Sequence, residues 1–424
     1  MNTKIKTYKN GLRLVLEKND KNVIGLNILF NVGSQNEREK EFGYSHFIEH
    51  LVFKGTKKRT AEQLSDELTM LGADFNACTS RTLTRFNFKC LAENFEKCFE
   101  IYADMLINAE FRDDDINKER NVVIEEMKRV HDDPVEVLYE RVMENYFNEN
   151  SFAHDELGTE QIIKNVTRDE LLGYKSRFYK PNNCIISVAG NIEFDTLDKI
   201  VQKYFVFENA EDSMPNLVSF EKFNISLKKQ YDVVKRNDNQ ANVCVHIKSI
   251  TCENKLKPVA ELYTCILANA QNSRLYKKIR EELGLVYSIY GFMSLGSQTG
   301  ELFIFFGTRP ANVEKAMIEI KNIIQTLAAG GITEEELQMA KNLRKSNAEY
   351  MAETNSDIAE LVGTELNYFG KVDTIAQKVE KLDKVKAKQV NEFAKLIASE
   401  QVFNVVAVGK GFSKNDLLKF NQKN

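Results

Sequence analysis

His46-Phe47-Ile48-Glu49-His50 places two of the chain's five histidines four residues apart, with a glutamate between them. On a helix, positions i, i+3 and i+4 lie on one face, so both imidazoles and the carboxylate converge on one point. That is the geometry of a metal site. Two imidazoles can occupy two corners of a tetrahedral zinc ion, and the uncoordinated glutamate can take a proton from a metal-bound water. The pattern is the reverse of HExxH. Zinc also needs a third protein ligand. A helical run from Asn117 to Met127 offers one, because Glu119 and Glu126 stand seven residues apart. Seven residues is two helical turns, so these carboxylates share a face while Glu125 points elsewhere.

The stretch Gly43 to Thr56, GYSHFIEHLVFKGT, followed at this distance by ERNVVIEEM, resembles the pitrilysin/insulinase family of zinc peptidases, in the branch that includes the mitochondrial processing peptidase. The resemblance implies one zinc per chain, held by His46, His50 and Glu126, with Glu49 as catalytic base. The family's second acidic residue, one heptad before the distal ligand, falls on Glu119; carboxylates behind a ligand commonly fix its orientation, which is the role expected of Glu119. The segment Asn272 to Ser288 is similar to the family's Arg-Tyr element and places the pair at Arg280 and Tyr287. A guanidinium and a phenol both donate hydrogen bonds to oxygens on which charge develops in peptide hydrolysis. Phe75 to Ser80 resembles the edge strand that pairs with substrate, setting Asn76 and Ala77 beside the scissile bond. An exposed edge reads an extended peptide through its backbone. Phe53 matches an aromatic lining the pocket just beyond that bond. The segment Asn148 to Gly158 departs from the family pattern, so His154 reads as a loop residue; His131 and His246 have no supporting constellation.

The elements that must position these residues come in two copies. Asn94 to Phe99 matches Asn312 to Met317, and Cys184 to Gly190 parallels Phe403 to Gly409, at offsets of 218 and 219 residues. Each copy mixes alternating strand patterns with long helices. The expected fold is therefore α+β: two homologous domains, each a mixed, mainly antiparallel sheet packed with helices. The expected division is residues 1–206, which carry the metal ligands, a polar linker at 207–224, and residues 225–424, which carry the Arg-Tyr element. Asn10-Gly11 signals a hairpin at the start. At the repeat offset, His46, Glu49 and His50 fall opposite Thr264, Leu267 and Ala268; after a three-residue adjustment in the connection between helices, Glu119 and Glu126 fall opposite Ala340 and Asn347. A requirement of packing would be expected in both copies, so confinement to one favours chemistry.

Composition bounds the rest. With 424 residues, 43% hydrophobic and 28% charged, the chain is globular and long enough for more than one core. A net charge of -4, with no basic cluster interleaved with aromatics, argues against nucleic acid as a partner. No apolar run of about 18 residues predicts a membrane span. The start lacks a signal or transit pattern, and the seven cysteines are odd in number without C-x-x-C pairing, which together predict a cytoplasmic, reduced protein.

The expected activity is zinc-dependent endoproteolysis of extended peptides, such as leader or targeting peptides, inside a closed dimeric chamber. In relatives carrying four such domains on one polypeptide, zinc sits in the first and the Arg-Tyr pair in the fourth. A two-domain chain would then work as a homodimer, or with a homologous partner subunit. The alternative is a non-catalytic or regulatory subunit of a heterodimeric peptidase; such subunits typically lose the metal residues, which this chain retains. A structural metal module has no use for an uncoordinated Glu49.

Overall fold

The computed structural model describes residues 2–148, 151–207, 229–400 and 403–418. Most of the expected linker, 207–224, therefore lies outside the described residues. The chain forms two compact units. The first gathers Met1–Lys128, His154–Glu221 and Tyr350–Thr374, the second Arg129–Ala153, Lys222–Glu349 and Ile375–Asn424.

The first unit is built on six strands: β1 (Asn2–Thr7), β2 (Arg13–Lys18), β3 (Val23–Phe30), β4 (Asp74–Thr79), β5 (Thr84–Leu91) and β6 (Cys184–Gly190). They lie in the order β1-β2-β6-β3-β5-β4. Only β2 and β6 run parallel; the other pairs are antiparallel. The expected hairpin joins β1 to β2, with Gly11 at φ +84°, where a side chain would be strained. Strand β6 is buried at every position because helices cover both sheet faces. On one face, Ile358, Val362 and Leu366 of helix Asn355–Phe369 pack on Val15, Leu29 and Ile185. On the other, Tyr102 of helix Phe95–Asn108 meets Phe88 and donates its hydroxyl to the Asn87 carbonyl at 2.8 Å. Strand β4 alternates between exposed and half-buried residues, as an edge strand must.

The second unit repeats this plan. Its strands are β7 (Gln230–Lys235), β8 (Ala241–Lys248), β9 (Val286–Leu295), β10 (Gly300–Thr308) and β11 (Phe403–Gly409), in the order β7-β11-β8-β10-β9. The parallel pair is β7 with β11, and the remainder are antiparallel. Position for position, β7, β11, β8, β10 and β9 repeat β2, β6, β3, β5 and β4. The two mixed sheets are those expected from the repeats.

Neither compact unit is one continuous stretch. Helix Asn355–Phe369, late in the chain, covers the first sheet, whereas helix Pro134–Phe147, early in it, places Leu138, Val142 and Tyr146 on Cys244, Phe303 and Val406 of the second. Each sheet has two apolar faces, so each needs cover on both sides whichever repeat supplies it.

Candidate metal centre

Helix Tyr44–Val52 is short, and its two faces divide the work. Phe47, Ile48, Leu51 and Val52 are fully buried, while His46, Glu49 and His50 form a half-buried polar face. Helix Asp113–Asp132 brings the distal carboxylates. Three aspartates in its first turn favour its start by opposing the helix dipole, and it carries Glu119 buried and Glu126 half-buried.

Between these helices the polar atoms converge. His46 Nε2 and His50 Nε2 each lie 3.7 Å from Glu126 Oε2. Among the described residues, His46, His50 and Glu126 are the group of His, Cys, Asp and Glu able to close on one metal ion, with their ligand atoms all within 4.8 Å of one another. Tetrahedral nitrogen and oxygen ligands about 2.0–2.2 Å from zinc stand roughly 3.3–3.6 Å apart, so the two 3.7 Å separations are close to that spacing, while a set spread over up to 4.8 Å has to draw together to close on the ion. The other side of the His50 ring is also engaged: Nδ1 sits 3.1 Å from Glu119 Oε2, and Lys54 Nζ lies 2.6 Å from Glu119 Oε1. That contact fixes the ring and leaves Nε2 facing Glu126, where a metal could be held. His46 Nδ1 is buried without a hydrogen-bond partner among the described residues. Glu125 turns outward to Lys128, at 2.6 Å.

Protonation suits the chemistry. Burial, with the neighbouring His50 charge, pushes His46 down to about 3, so it is a neutral imidazole at any working pH. Burial also lowers His50, but the Glu119 hydrogen bond and the charges of Glu49, Glu119 and Glu126 outweigh it and raise the ring above its ordinary value. An imidazole that ligates a metal must be neutral, so binding at His50 would be pH-dependent. Glu119 feels burial upward, yet His50 and Lys54 hold it below the usual carboxylate range. Burial raises Glu49, against the pull of Thr79 and His50 and with the help of Glu126.

Glu49 is held from the sheet. Thr79, the last residue of β4, donates its hydroxyl to Glu49 Oε2 at 2.6 Å. Asn76 and Ala77 lie on the same edge strand, opposite Asn87 and Phe86 of β5. Phe53, just past the helix, is half-buried, with ring centroids 6.2 Å from Phe75 and 6.3 Å from Phe86.

Arg280 and Tyr287 belong to the second unit. Arg280 is exposed on a π-helical stretch, Tyr276–Glu282, with its guanidinium 4.7 Å from the Tyr276 ring centroid and bonded to that hydroxyl. Tyr287, on β9, is 48% exposed and accepts a hydrogen bond from Arg309 Nε at 2.9 Å. The residues opposite the metal set serve packing. Thr264, Leu267, Ala268 and Ala340 are buried, and the Thr264 hydroxyl returns to the Ala260 carbonyl of its own helix. His246 is fully buried against Tyr146 and held to about 3 by burial.

Two residues of the centre escaped the sequence reading. Lys54 follows His50 by four, a helical spacing that could have revealed it. Thr79 is 30 residues from Glu49, and only strand placement joins them. Thr79→Val removes a charge-assisted hydrogen bond from Glu49 and is expected to lower kcat about tenfold with zinc retained. Peptide hydrolysis at the wild-type kcat would show that Glu49 keeps its place without Thr79.

Comparison with known proteins gives the family. Residues 13–160 match the family described as Insulinase (Peptidase family M16), and residues 165–344 match the Peptidase M16 inactive domain. A Bacillus subtilis (strain 168) protein named Uncharacterized zinc protease YmxG is 30% identical over 396 residues, covering 93% of this chain and 95% of its own. The chain belongs to the insulinase (M16) peptidase family. A second M16 relative, an uncharacterized zinc protease of Rickettsia bellii (strain RML369-C), is 28% identical over 96% of this chain and 97% of its own. In fold, the M16 chain is similar to a protease from Helicobacter pylori, with a TM-score of 0.88 at 22% identity, covering 96% of this chain and 99% of that one. It is also similar to a peptidase M16 inactive domain from Pseudomonas fluorescens, with a TM-score of 0.85 at 16% identity, covering 97% and 99%.

Proposed function

We propose that this chain is a zinc metalloendopeptidase of the mitochondrial-processing-peptidase-like branch, cleaving extended peptides such as leader or targeting segments. The observation that carries this reading is the convergence of His46 Nε2, His50 Nε2 and Glu126 Oε2 beside a glutamate that is not part of the ligand set. When bound, zinc supplies a Lewis acid that polarises a carbonyl and acidifies water. Glu49, steadied by Thr79, accepts the proton of the attacking water and passes it to the leaving amine. Glu119 and Lys54 keep the His50 ring in its ligating orientation. The outer edge of β4 pairs with no strand among the described residues, which leaves its backbone available to an extended peptide at Asn76 and Ala77, with Phe53 against the next side chain.

Arg280 and Tyr287 act as donors to the carbonyl oxygen, and the working unit is a homodimer in which each metal-bearing repeat, 1–206, meets the repeat 225–424 of the other chain. Their exposure supports this, since a donor serving substrate must be reachable. A cytoplasmic location is supported by seven free thiols, six of them buried. No helix among the described residues is long and apolar enough to cross a membrane.

The test is incubation of zinc-loaded protein with a diverse peptide library, read by mass spectrometry. Internal cleavages that a chelator abolishes and zinc restores are expected; intact peptides at full zinc occupancy would favour the non-catalytic subunit. In parallel, Glu126→Gln is expected to bind zinc at least about 100-fold more weakly, because a first ligand matters more than its supporting shell. Full occupancy in that variant would remove Glu126 from the site.

A further inference from the structure

Helix Tyr44–Val52 begins without a cap of its own. Its N-cap is Gly43, at φ +96°, which has no side chain to receive the free N–H groups of the first turn. Two backbone N–H groups at that start are served from outside the helix. Glu37, whose side chain is 0% exposed, accepts the Gly43 N–H through Oε2 and the Ser45 N–H through Oε1, both at 2.7 Å. A buried carboxylate needs a partner of its own, and His154 provides it, with Nε2 3.1 Å from Glu37 Oε2. The His154 ring in turn stacks on Phe42, at 3.8 Å between centroids.

The rest of that loop closes on the same helix start. A Cβ at Gly43 would lie 2.5 Å from the Leu157 carbonyl oxygen, and one at Gly158 would lie 2.1 Å from that of Phe42. His46 is the third residue of the helix, immediately after Ser45. Any slip of the first turn therefore moves His46 Nε2.

We propose that Glu37 and His154 are positioning residues for the metal centre: His154 fixes the Glu37 carboxylate, which fixes the first turn of the helix and so the His46 ligand. This inference rests on the zinc reading above. Neither residue belongs to the converging ligand set; both act through the backbone of Gly43 and Ser45.

The test compares His154→Ala, His154→Gln and Leu157→Ala in the full chain. Readouts are zinc affinity by competition with a chromophoric chelator, the visible spectrum of the cobalt-loaded protein, and kcat and KM separately. His154→Ala is expected to weaken zinc about tenfold, as removing an outer support of a ligand does. It should also alter the cobalt bands and lower kcat with little change in KM. His154→Gln can still donate to Glu37 and should restore most of both. Leu157→Ala, which loosens the loop without touching the pair, should lower the melting temperature but leave zinc affinity unchanged. If His154→Ala does not fold, Glu37→Gln takes its place with the same expectation, since its amide faces two N–H donors with only one acceptor oxygen. Wild-type zinc affinity, cobalt spectrum and kcat in the variant would overturn the inference alone. So would a Leu157→Ala chain as impaired in zinc binding. A wild-type chain that takes up no zinc would overturn the metal reading and this inference with it.

Discussion

Glu49→Gln is expected to bind zinc as the wild type does and to hydrolyse peptides about 10²–10⁴-fold more slowly, the range that a positioned general base contributes. The substitution changes little besides basicity. Glutamine keeps the shape of glutamate, and its amide oxygen can still accept the Thr79 hydroxyl now 2.6 Å from Oε2. None of the converging ligand atoms belongs to Glu49, so the metal set is intact. Burial raises the Glu49 carboxyl above its ordinary value, which means the ionised form costs the folded chain stability at neutral pH. A neutral side chain there should not lower the melting temperature. The measurement is a paired one: zinc content by metal analysis and kcat on a cleaved library peptide. Turnover near the wild-type rate in a fully loaded variant would rule out Glu49 as the base.

Local spacing made the metal set legible in the sequence, because it rests on two helices. The i, i+3, i+4 rule joins His46, Glu49 and His50, and the two-turn spacing joins Glu119 and Glu126; helical periodicity carries that information within a few residues. The repeated topology was legible for a related reason, since the matched segments Cys184 to Gly190 and Phe403 to Gly409 are β6 and β11, the corresponding strands of the two sheets. What the sequence could not display were contacts between elements distant along the chain. Thr79 reaches Glu49 only because the end of β4 falls beside the helix. Glu37 and His154 are 117 residues apart and meet only in the folded unit, so His154 read as an ordinary loop residue. The source of each sheet's cover was equally hidden. Helix Asn355–Phe369 carries the same amphipathic pattern whichever sheet it lies on, and periodicity specifies a buried face without naming its partner.

An equimolar mixture of Glu49→Gln and Tyr287→Phe chains, allowed to exchange subunits, is expected to regain about a quarter of wild-type activity if the working unit is a two-fold dimer with shared sites. Each variant alone should be nearly inactive. Tyr287→Phe removes one donor hydroxyl and should cost about 10²-fold, as the loss of a single oxyanion donor does. The two lesions lie in different compact units, Glu49 in the first and Tyr287 in the second. Under the proposed arrangement, each site takes its base from one chain and its tyrosine from the other. Random exchange makes half of the dimers mixed, and a mixed dimer has one site carrying both lesions and one carrying neither, which gives the quarter. Recovery should follow the measured extent of exchange and vanish when the chains are cross-linked as homodimers before mixing. The same experiment with Glu49→Gln and Glu126→Gln is the control, because both lesions fall in the first unit and every mixed site then lacks one of them. No recovery in the first mixture despite proven exchange would mean that each chain completes its own site, or that the true partner is a different protein.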